Sequence, residues 1–158
     1  MDISALSESD IDAMWAINEQ GLPGTGKVSK KEIVQLLEFS SLSVGAYDQG
    51  ELVGFVVCLP PRTAYGSLNY AWFNEHYESF VYVDRIAVSE ENRNKGVGSA
   101  LYHHVVLYSK QHGVPIAAEV NREPPNTGSM RFHNRFGFEE VGVLHHAEKS
   151  VTMFLKQA

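Results

Sequence analysis

Cysteine and basic residues are both scarce in this chain. Cys58 is the single cysteine among 158 residues, so neither an internal disulfide nor a cluster of thiolate ligands can form. Because it lies in the apolar run 52–59, we expect a buried thiol. Lysine and arginine total 13 against 19 acidic residues, which gives a formal net charge of -6. Since nucleic-acid binding draws on clustered basic residues, this balance argues against a nucleic-acid partner.

Long apolar runs are also missing. No stretch approaches the roughly 18 consecutive apolar residues of a membrane helix. The N-terminal sequence MDISALSESD contains no basic region that leads into an apolar one. We therefore expect no membrane partner and a cytoplasmic location. A hydrophobic content of 44% suffices for one core, so we expect a single domain over residues 1–158, as a monomer or a homodimer.

Hydrophobic spacing and turn residues predict an α/β order of elements. Capping-box spacings at Ser7–Asp10 and Ser29–Glu32 begin two helices, a third runs from Gly96 to His112, and a short fourth ends at Gly137. The predicted strands are 3–6, 42–47, 52–59, 80–88, 114–120, 138–144 and 151–155. We therefore expect a mixed, mostly antiparallel central sheet flanked by helices. The aromatic-rich connection 62–79 is predicted to be a long loop, either a substrate lid or a part of the core or of a dimer contact.

The most informative segment is VDRIAVSEENRNKGVGSAL, residues 83–101. It predicts a buried strand, a polar turn and a helix that begins at Gly96. Glycines at 96 and 98 let the main chain approach a ligand closely, and free N–H groups in the first turn of a helix bind anions such as a diphosphate. Gly-x-Gly alone would equally suit a glycine-rich helix start without a ligand.

This segment resembles the cofactor-binding motif of the GNAT superfamily, an Arg or Gln followed by x-x-Gly-x-Gly or Ala. The matching residues are Arg93, Gly96 and Gly98. The resemblance continues downstream at Asn126, Ser129, His133 and Gly137–Phe138. It implies a GNAT-like domain that moves an acetyl group from acetyl-CoA to a primary amine by direct attack in a ternary complex. The acceptor would be a small-molecule or a protein amine, and no metal would be needed.

The same resemblance implies a set of residues for acetyl-CoA. Backbone amides from Lys95 to Ser99 would hold the pyrophosphate, and main-chain groups of the strand would pair with pantetheine as an added strand would. Arg93 would either contact a phosphate or remain a solvated arginine. The implied cofactor residues are Ile86, Ala87, Val88, Arg93, Lys95, Gly96, Val97, Gly98, Ser99 and Asn126.

An amine must lose a proton to attack, so a general base is useful near neutral pH. Glu119 is similar in position to the glutamate that some family members use, although it could instead face solvent or pair with Arg122. Asp84 is a second candidate, with a salt bridge to an arginine as the alternative. Tyr82 stands where some relatives carry their base, and this departure argues against that variant of the mechanism. Strand periodicity predicts that Tyr82, Asp84 and Ile86 share one face.

His133 occupies the position at which the family usually has a tyrosine that protonates the leaving thiolate. A histidine can donate a proton near neutral pH, so His133 is a candidate acid, and packing beside the cofactor is the alternative. Three aromatic residues are candidates for binding the acceptor, through cation–π contacts or apolar area. They are Tyr70, Trp72 and Tyr82.

Rival functions have weaker support. Residues 21–27, GLPGTGK, match the first seven positions of a phosphate-binding P-loop, but Val28 replaces the magnesium-binding hydroxyl and a helical pattern precedes the segment. We expect a turn between two helices near the acceptor site. Histidines also occur as the adjacent pairs His103–His104 and His145–His146. Adjacent side chains on a helix or strand point in different directions, so we expect no metal site. A non-catalytic acyl-CoA-binding module of GNAT shape is the alternative to an enzyme.

Overall fold

Seven strands form one sheet in the computed structural model, which describes residues 1–123, 125–147 and 149–158. They are β1 (Asp2–Ala5), β2 (Leu42–Asp48), β3 (Glu51–Leu59), β4 (Val81–Val88), β5 (Ile116–Glu123), β6 (Glu139–His146) and β7 (Lys149–Lys156). The order across the sheet is β1-β2-β3-β4-β5-β7-β6. Only β4 and β5 pair in parallel, which confirms the predicted mixed, mostly antiparallel sheet.

Helices cover both faces of the sheet. In the described ranges they are α1 (Ile11–Gln20), α2 (Lys30–Phe39), α3 (Leu68–His76), α4 (Val97–His112) and α5 (Thr127–Arg135). The first three pack on one face, where Met14, Ile33 and Phe73 are fully buried. The last two pack on the opposite face, around Leu101 and Val105.

Local sequence explains where most helices begin and end. The backbone N–H of Glu32 donates to Ser29 Oγ at 3.1 Å, and the N–H of Ser29 donates to Glu32 Oε1 at 3.1 Å, which confirms the predicted capping box of α2. Gly113 ends α4 with a φ of 64°, in the left-handed region that favours glycine.

Helix α3 corrects the prediction that 62–79 is a long loop. Ser67 Oγ accepts from the N–H of Tyr70 at 3.3 Å and begins the helix. Its apolar residues do not form one stripe, because Leu68 is 65% exposed whereas Tyr70 and Phe73 are buried. Most of its burial therefore comes from aromatic rings that reach the core, and hydrophobic spacing gave no signal for a helix.

A β-bulge corrects a second prediction, the shared face on β4. Opposite β3, Val57 pairs with Arg85 and Cys58 with Val83, so Asp84 is an extra residue without a register partner. Tyr82 accordingly packs with α1, α2 and α3, whereas Ile86 packs on the opposite face of the sheet. An inserted residue shifts the two-residue period by one, which reverses the faces of all later side chains.

Strands β4 and β5 separate soon after they begin. Their register contains only Val81 with Ile116 and Tyr82 with Ala117. Beyond Tyr82, the edge of β4 that faces β5 has no neighbouring strand along most of its length. A cleft therefore opens in the middle of the sheet, at the carboxyl end of β4.

Gly54 allows the first turn of α4 to lie close to the sheet. A Cβ added there would lie 2.9 Å from Cγ1 of Val97 and 3.1 Å from the carbonyl oxygen of Ala87. We expect Gly54→Ala to lower the free energy of unfolding by about 1–3 kcal/mol, because overpacking must move α4 or β4. Urea denaturation measures this change.

Gly66→Ala is the matched control for that experiment. A Cβ at Gly66 meets no atom within 4 Å, so its free energy of unfolding should stay within about 0.5 kcal/mol of the unmodified protein. Equal stability of the two variants would contradict close packing at Gly54.

Candidate active site

The cleft has an outer and an inner part. The outer cleft, about 640 Å³, lies between the end of β4, the turn at Arg93 and the first turns of α4 and α5. The inner cleft, about 440 Å³, continues from it toward β5 and ends at Ala118 and Glu119. Residues that line both parts are Ile86, Ala87, Val88, Arg93, Ser129 and His133.

The backbone at the start of α4 lines the outer cleft. Gly96 has a φ of 81°, which a glycine adopts without strain, and it leads directly into the first helical turn at Val97. A Cβ at Gly98 would meet only the ring of Phe132, at 3.9 Å, so the space beside this glycine is open. Gly96, Val97, Gly98 and Ser99 line the outer cleft. The N–H groups in the first turn of a helix have no intrahelical partner, so those at the start of α4 are available to an anion.

Arg93 and Asn126 close the edges of the cleft. The Arg93 guanidinium donates to the carbonyl oxygens of Val88, at 3.2 Å, and Gln20, at 3.1 Å, and so ties α1 to β4. Asn126 caps α5 by accepting from the N–H of Ser129 at 3.3 Å, and it lines the inner cleft. Lys95, by contrast, is exposed and is not among the outer cleft's lining residues.

A side pocket meets the inner cleft from the opposite direction. It has a volume of about 280 Å³ and lies between the α1–α2 turn, the segment before α3, and β4, β5 and β7. Four residues line both cavities: Gly24, Asp84, Arg85 and Glu119. The cleft and the side pocket therefore join at Glu119.

Glu119 is held by one carboxylate oxygen and leaves the other free. Its Oε1 accepts from the hydroxyl of Tyr82 at 2.8 Å and from Nδ2 of Asn69 at 3.1 Å. Its Oε2 is buried and has no hydrogen-bond partner among the described residues. Burial, with a smaller contribution from Asp84, raises the pKa of Glu119 to about 7, against the lowering effect of the Tyr82 hydrogen bond. Neither solvent nor Arg122 is the partner of its Oε1.

Asp84 forms a buried ion pair with Arg85. The distance from Arg85 Nε to Asp84 Oδ2 is 2.7 Å, and the Asp84 side chain is 3% exposed. Arg85 Nη1 also donates to Asn18 Oδ1 and to the Gly26 carbonyl oxygen, both at 3.0 Å. This pair fixes the α1–α2 turn over the site. A salt bridge to an arginine was the alternative that the sequence predicted for Asp84, and the structure contains it.

His133 is a buried, neutral imidazole between two helices. It is 4% exposed, and burial lowers the pKa of its imidazolium. Its Nδ1 lies 2.8 Å from the carbonyl oxygen of Ser129, which can only accept, so Nδ1 carries the proton. The hydroxyl of Tyr102, 2.8 Å from Nε2, therefore donates to the ring. Both ring nitrogens are already engaged at the wall of the cleft.

The candidate acceptor-binding aromatics are distributed differently. Tyr82 lines the side pocket, whereas Tyr70 is 1% exposed in the core and hydrogen-bonded to Thr63. Trp72 packs against Gly142 and stacks on His76. The structure brings neither Tyr70 nor Trp72 to the wall of the cleft or the side pocket.

Three residues at the site were missed by sequence reasoning. Asn18, Asn69 and Arg85 carry no motif, and only their distant partners give them a role. The P-loop match at 21–27 is wrong as a nucleotide site, because α1 rather than a strand precedes it. As predicted, this segment is a turn between two helices beside the site.

The described ranges lack two features. No helix there is both long enough and apolar enough to cross a membrane. Within the same ranges, histidine, cysteine and acidic side chains do not gather in groups of three or more that could hold a metal ion.

Comparisons with known proteins agree on one family. The model of the acetyltransferase (GNAT) family matches residues 11–138. The structure is similar to Ard1 from Thermoplasma volcanium, with a TM-score of 0.80, 19% identity, and coverage of 99% of this chain and 96% of that chain. It is also similar to the ribosomal-protein-S18-alanine N-acetyltransferase of Escherichia coli, with a TM-score of 0.76, 17% identity and coverage of 99% and 92%.

A third similar structure contains a ligand. Arabidopsis thaliana Naa50, in complex with the bisubstrate analogue CoA-Ac-MVNAL, aligns with a TM-score of 0.74, 19% identity and coverage of 99% of this chain and 98% of that chain. At such identities the likeness concerns the fold. No curated protein has a sequence that matches this chain significantly.

The raised pKa of Glu119 makes stability depend on pH. A carboxyl group whose folded pKa of about 7 exceeds the ordinary value of 4.5 favours folding while protonated, and this contribution is lost as pH rises through 7. We therefore expect Glu119→Gln to gain free energy of unfolding relative to the unmodified protein as pH rises from about 5 to about 8. Urea denaturation across this range tests the sign. A difference that does not vary with pH would mean that Glu119 has an ordinary pKa.

Proposed function

The chain belongs to the GNAT acetyltransferase family, and on that premise we propose that it moves an acetyl group from acetyl-CoA to a primary amine by direct attack in a ternary complex. The observation that carries this proposal is the free, buried Oε2 of Glu119, which lies where the cleft and the side pocket meet. A base at such a junction can reach an acceptor that enters from one side while a donor occupies the other.

The cleft suits acetyl-CoA along its whole length. The pyrophosphate is assigned to the free amides from Gly96 to Ser99, beside the open space at Gly98. Pantetheine is assigned to the unpaired edge of β4 at Ile86–Val88, where it takes the place of a strand. Arg93, fixed by two carbonyl oxygens, contributes positive charge to the cleft wall rather than a mobile clamp.

Glu119 is assigned the role of general base. Bound acetyl-CoA supplies a thioester that an unprotonated amine can attack. A carboxylate with a pKa of about 7 is largely ionised at slightly alkaline pH and still basic enough to take a proton from the acceptor's ammonium group, which leaves a neutral amine to attack. Tyr82 and Asn69 orient the carboxylate by holding Oε1, which aims Oε2 at the acceptor. Asp84 acts indirectly, since Arg85 occupies its carboxylate.

Protonation of the departing thiolate is assigned to the His133 imidazolium, which burial makes less populated by lowering its pKa. The carbonyl oxygen of Ser129 accepts from Nδ1 and acts against burial by raising that pKa, and the hydroxyl of Tyr102 occupies Nε2. A thiolate with a reference pKa near 8.5 is a fair leaving group without a proton. His133 therefore contributes mainly to the shape of the cleft near neutral pH.

A non-catalytic acyl-CoA-binding module is the alternative. It would use the same cleft, but it gives no reason for a buried carboxylate with a free oxygen at the junction. Calorimetry with acetyl-CoA, followed by a thiol-release assay over a panel of amines, separates the two. Binding without amine-dependent release would support the module.

Gly98→Val tests the donor site. The side chain would project into the open space beside the start of α4, so we expect acetyl-CoA binding to be lost while thermal unfolding changes little. Ala100→Val is the matched control, because it places the same side chain in the same helix at a residue outside the cleft lining. A folded Gly98→Val protein with normal affinity by calorimetry would place the donor elsewhere.

Glu119→Gln tests the base. Turnover should fall by about 10²- to 10⁴-fold, with little change in acetyl-CoA affinity, because the amide cannot accept the proton.

Tyr82→Phe removes a hydrogen bond that lowers the pKa of Glu119. Since the carboxylate must be ionised to act, the acidic limb of the pH–rate profile of Tyr82→Phe should move to higher pH. Full activity of Glu119→Gln from pH 6 to 9 would assign the proton transfer to Asp84 or to solvent.

A further inference from the structure

A groove of about 440 Å³ lies beside the side pocket. It runs between α2 and the segment before α3, and we call it the lateral groove. Lys27, Tyr65, Ser67 and Arg85 line both the lateral groove and the side pocket, so the two cavities share a wall. An acceptor longer than the side pocket, with its amine at Glu119, has this groove beside it to occupy.

Resting on the proposed function, we infer that the acceptor is the amino-terminal segment of a polypeptide, which extends from Glu119 through the side pocket into the lateral groove. The side pocket alone, at about 280 Å³, is large enough for a small amine. A small acceptor would give the lateral groove no function. An extended chain advances roughly 3.3 Å per residue and would place successive residues along it.

The lining of the lateral groove suits a peptide. Its floor includes Val28 and Leu36, which are 4% and 3% exposed and can receive an apolar side chain. Its rim carries Gln35 and Ser67, whose amide and hydroxyl groups can pair with peptide N–H and C=O groups. A peptide also combines polar backbone groups with side chains. This mixture of apolar and polar lining residues therefore suits a peptide better than a purely apolar or purely charged ligand.

The carboxylates along the path favour an amine that binds at its inner end. The Glu32 carboxylate, at the rim of the groove, accepts from the N–H of Ser29 and caps α2, and this hydrogen bond lowers its pKa. Asp84 is paired with Arg85. Of the three carboxylates Glu32, Asp84 and Glu119, all among the described residues, only Glu119 has a buried oxygen without a hydrogen-bond partner. The amino terminus is therefore directed to Glu119 and the rest of the chain to the groove.

The test is a series of acceptors of increasing length. Thiol release from acetyl-CoA is measured with the twenty amino-acid amides, and then with peptides that extend the best amide one residue at a time to about six, at roughly 3.3 Å per residue. We expect kcat/KM to rise at least tenfold along the series, mainly through KM, as the groove fills. Equal kcat/KM for the amide and the longest peptide would overturn the inference. Loss of thiol release with every amine would overturn the proposed function as well.

Two variants block the groove from opposite walls. A side chain at Gly66 enters open space, so Gly66→Leu should fill the groove without disturbing the fold. Gln35→Trp does the same from the exposed side of α2. Each should reduce kcat/KM for the longest peptide about tenfold and leave turnover of the amino-acid amide unchanged. Lys31→Trp, exposed on the same helix and outside the groove lining, is the control and should change neither.

The variants also have an outcome that contradicts the inference. If both blocking variants, folded by thermal unfolding, turn over the longest peptide as the unmodified protein does, the peptide does not occupy the groove. An equal loss with the amide and the peptide would likewise overturn it, since the groove would then act through the shape of the side pocket.

Discussion

The early separation of β4 from β5 is the constraint on which the rest of the site depends. Two paired residues hold the strands together, and beyond Tyr82 the edge of β4 lacks a strand partner over most of its length. An open strand edge in the middle of a sheet is costly unless something pairs with it. Helices α4 and α5 and the α1–α2 turn enclose the resulting cleft. The same separation brings the carboxylate of Glu119, on β5, to the inner end of the cleft.

Burial and pairing together determine the charges at that inner end. Arg85 is the nearby cation, but Asp84, Asn18 and the Gly26 carbonyl oxygen occupy its guanidinium. Glu119 therefore keeps only neutral donors, Tyr82 and Asn69, and burial raises its pKa to about 7. A direct ion pair with Arg85 would instead have lowered that pKa and weakened the carboxylate as a base. The bulge at Asp84 contributes to this arrangement, because it turns Arg85 toward α1, where Asn18 accepts from its guanidinium.

The α1–α2 turn illustrates how context decides the meaning of a motif. Its sequence, GLPGTGK, satisfies most of a phosphate-binding pattern, yet a helix precedes it and Arg85 holds the carbonyl oxygen of Gly26. Its glycines allow the backbone to lie close to Asn126, where a Cβ at Gly24 would be 3.1 Å from the side-chain amide. The turn thus lies along both the inner cleft and the side pocket, and Gly24 lines both.

The sequence by itself determined the order of strands and most helices, the start of α4 at Gly96, and the positions of Glu119 and His133, because hydrophobic period, glycines and capping residues act locally. The tertiary structure alone decided what these residues face. The helix α3 depends on aromatic rings that reach a distant core, and the bulge at Asp84 depends on pairing with β3. The pKa of Glu119 and the hydrogen bond at Nε2 of His133 depend on Asn69, Tyr82 and Tyr102, which lie far from them in sequence. Such contacts arise from packing between elements, which no local pattern encodes.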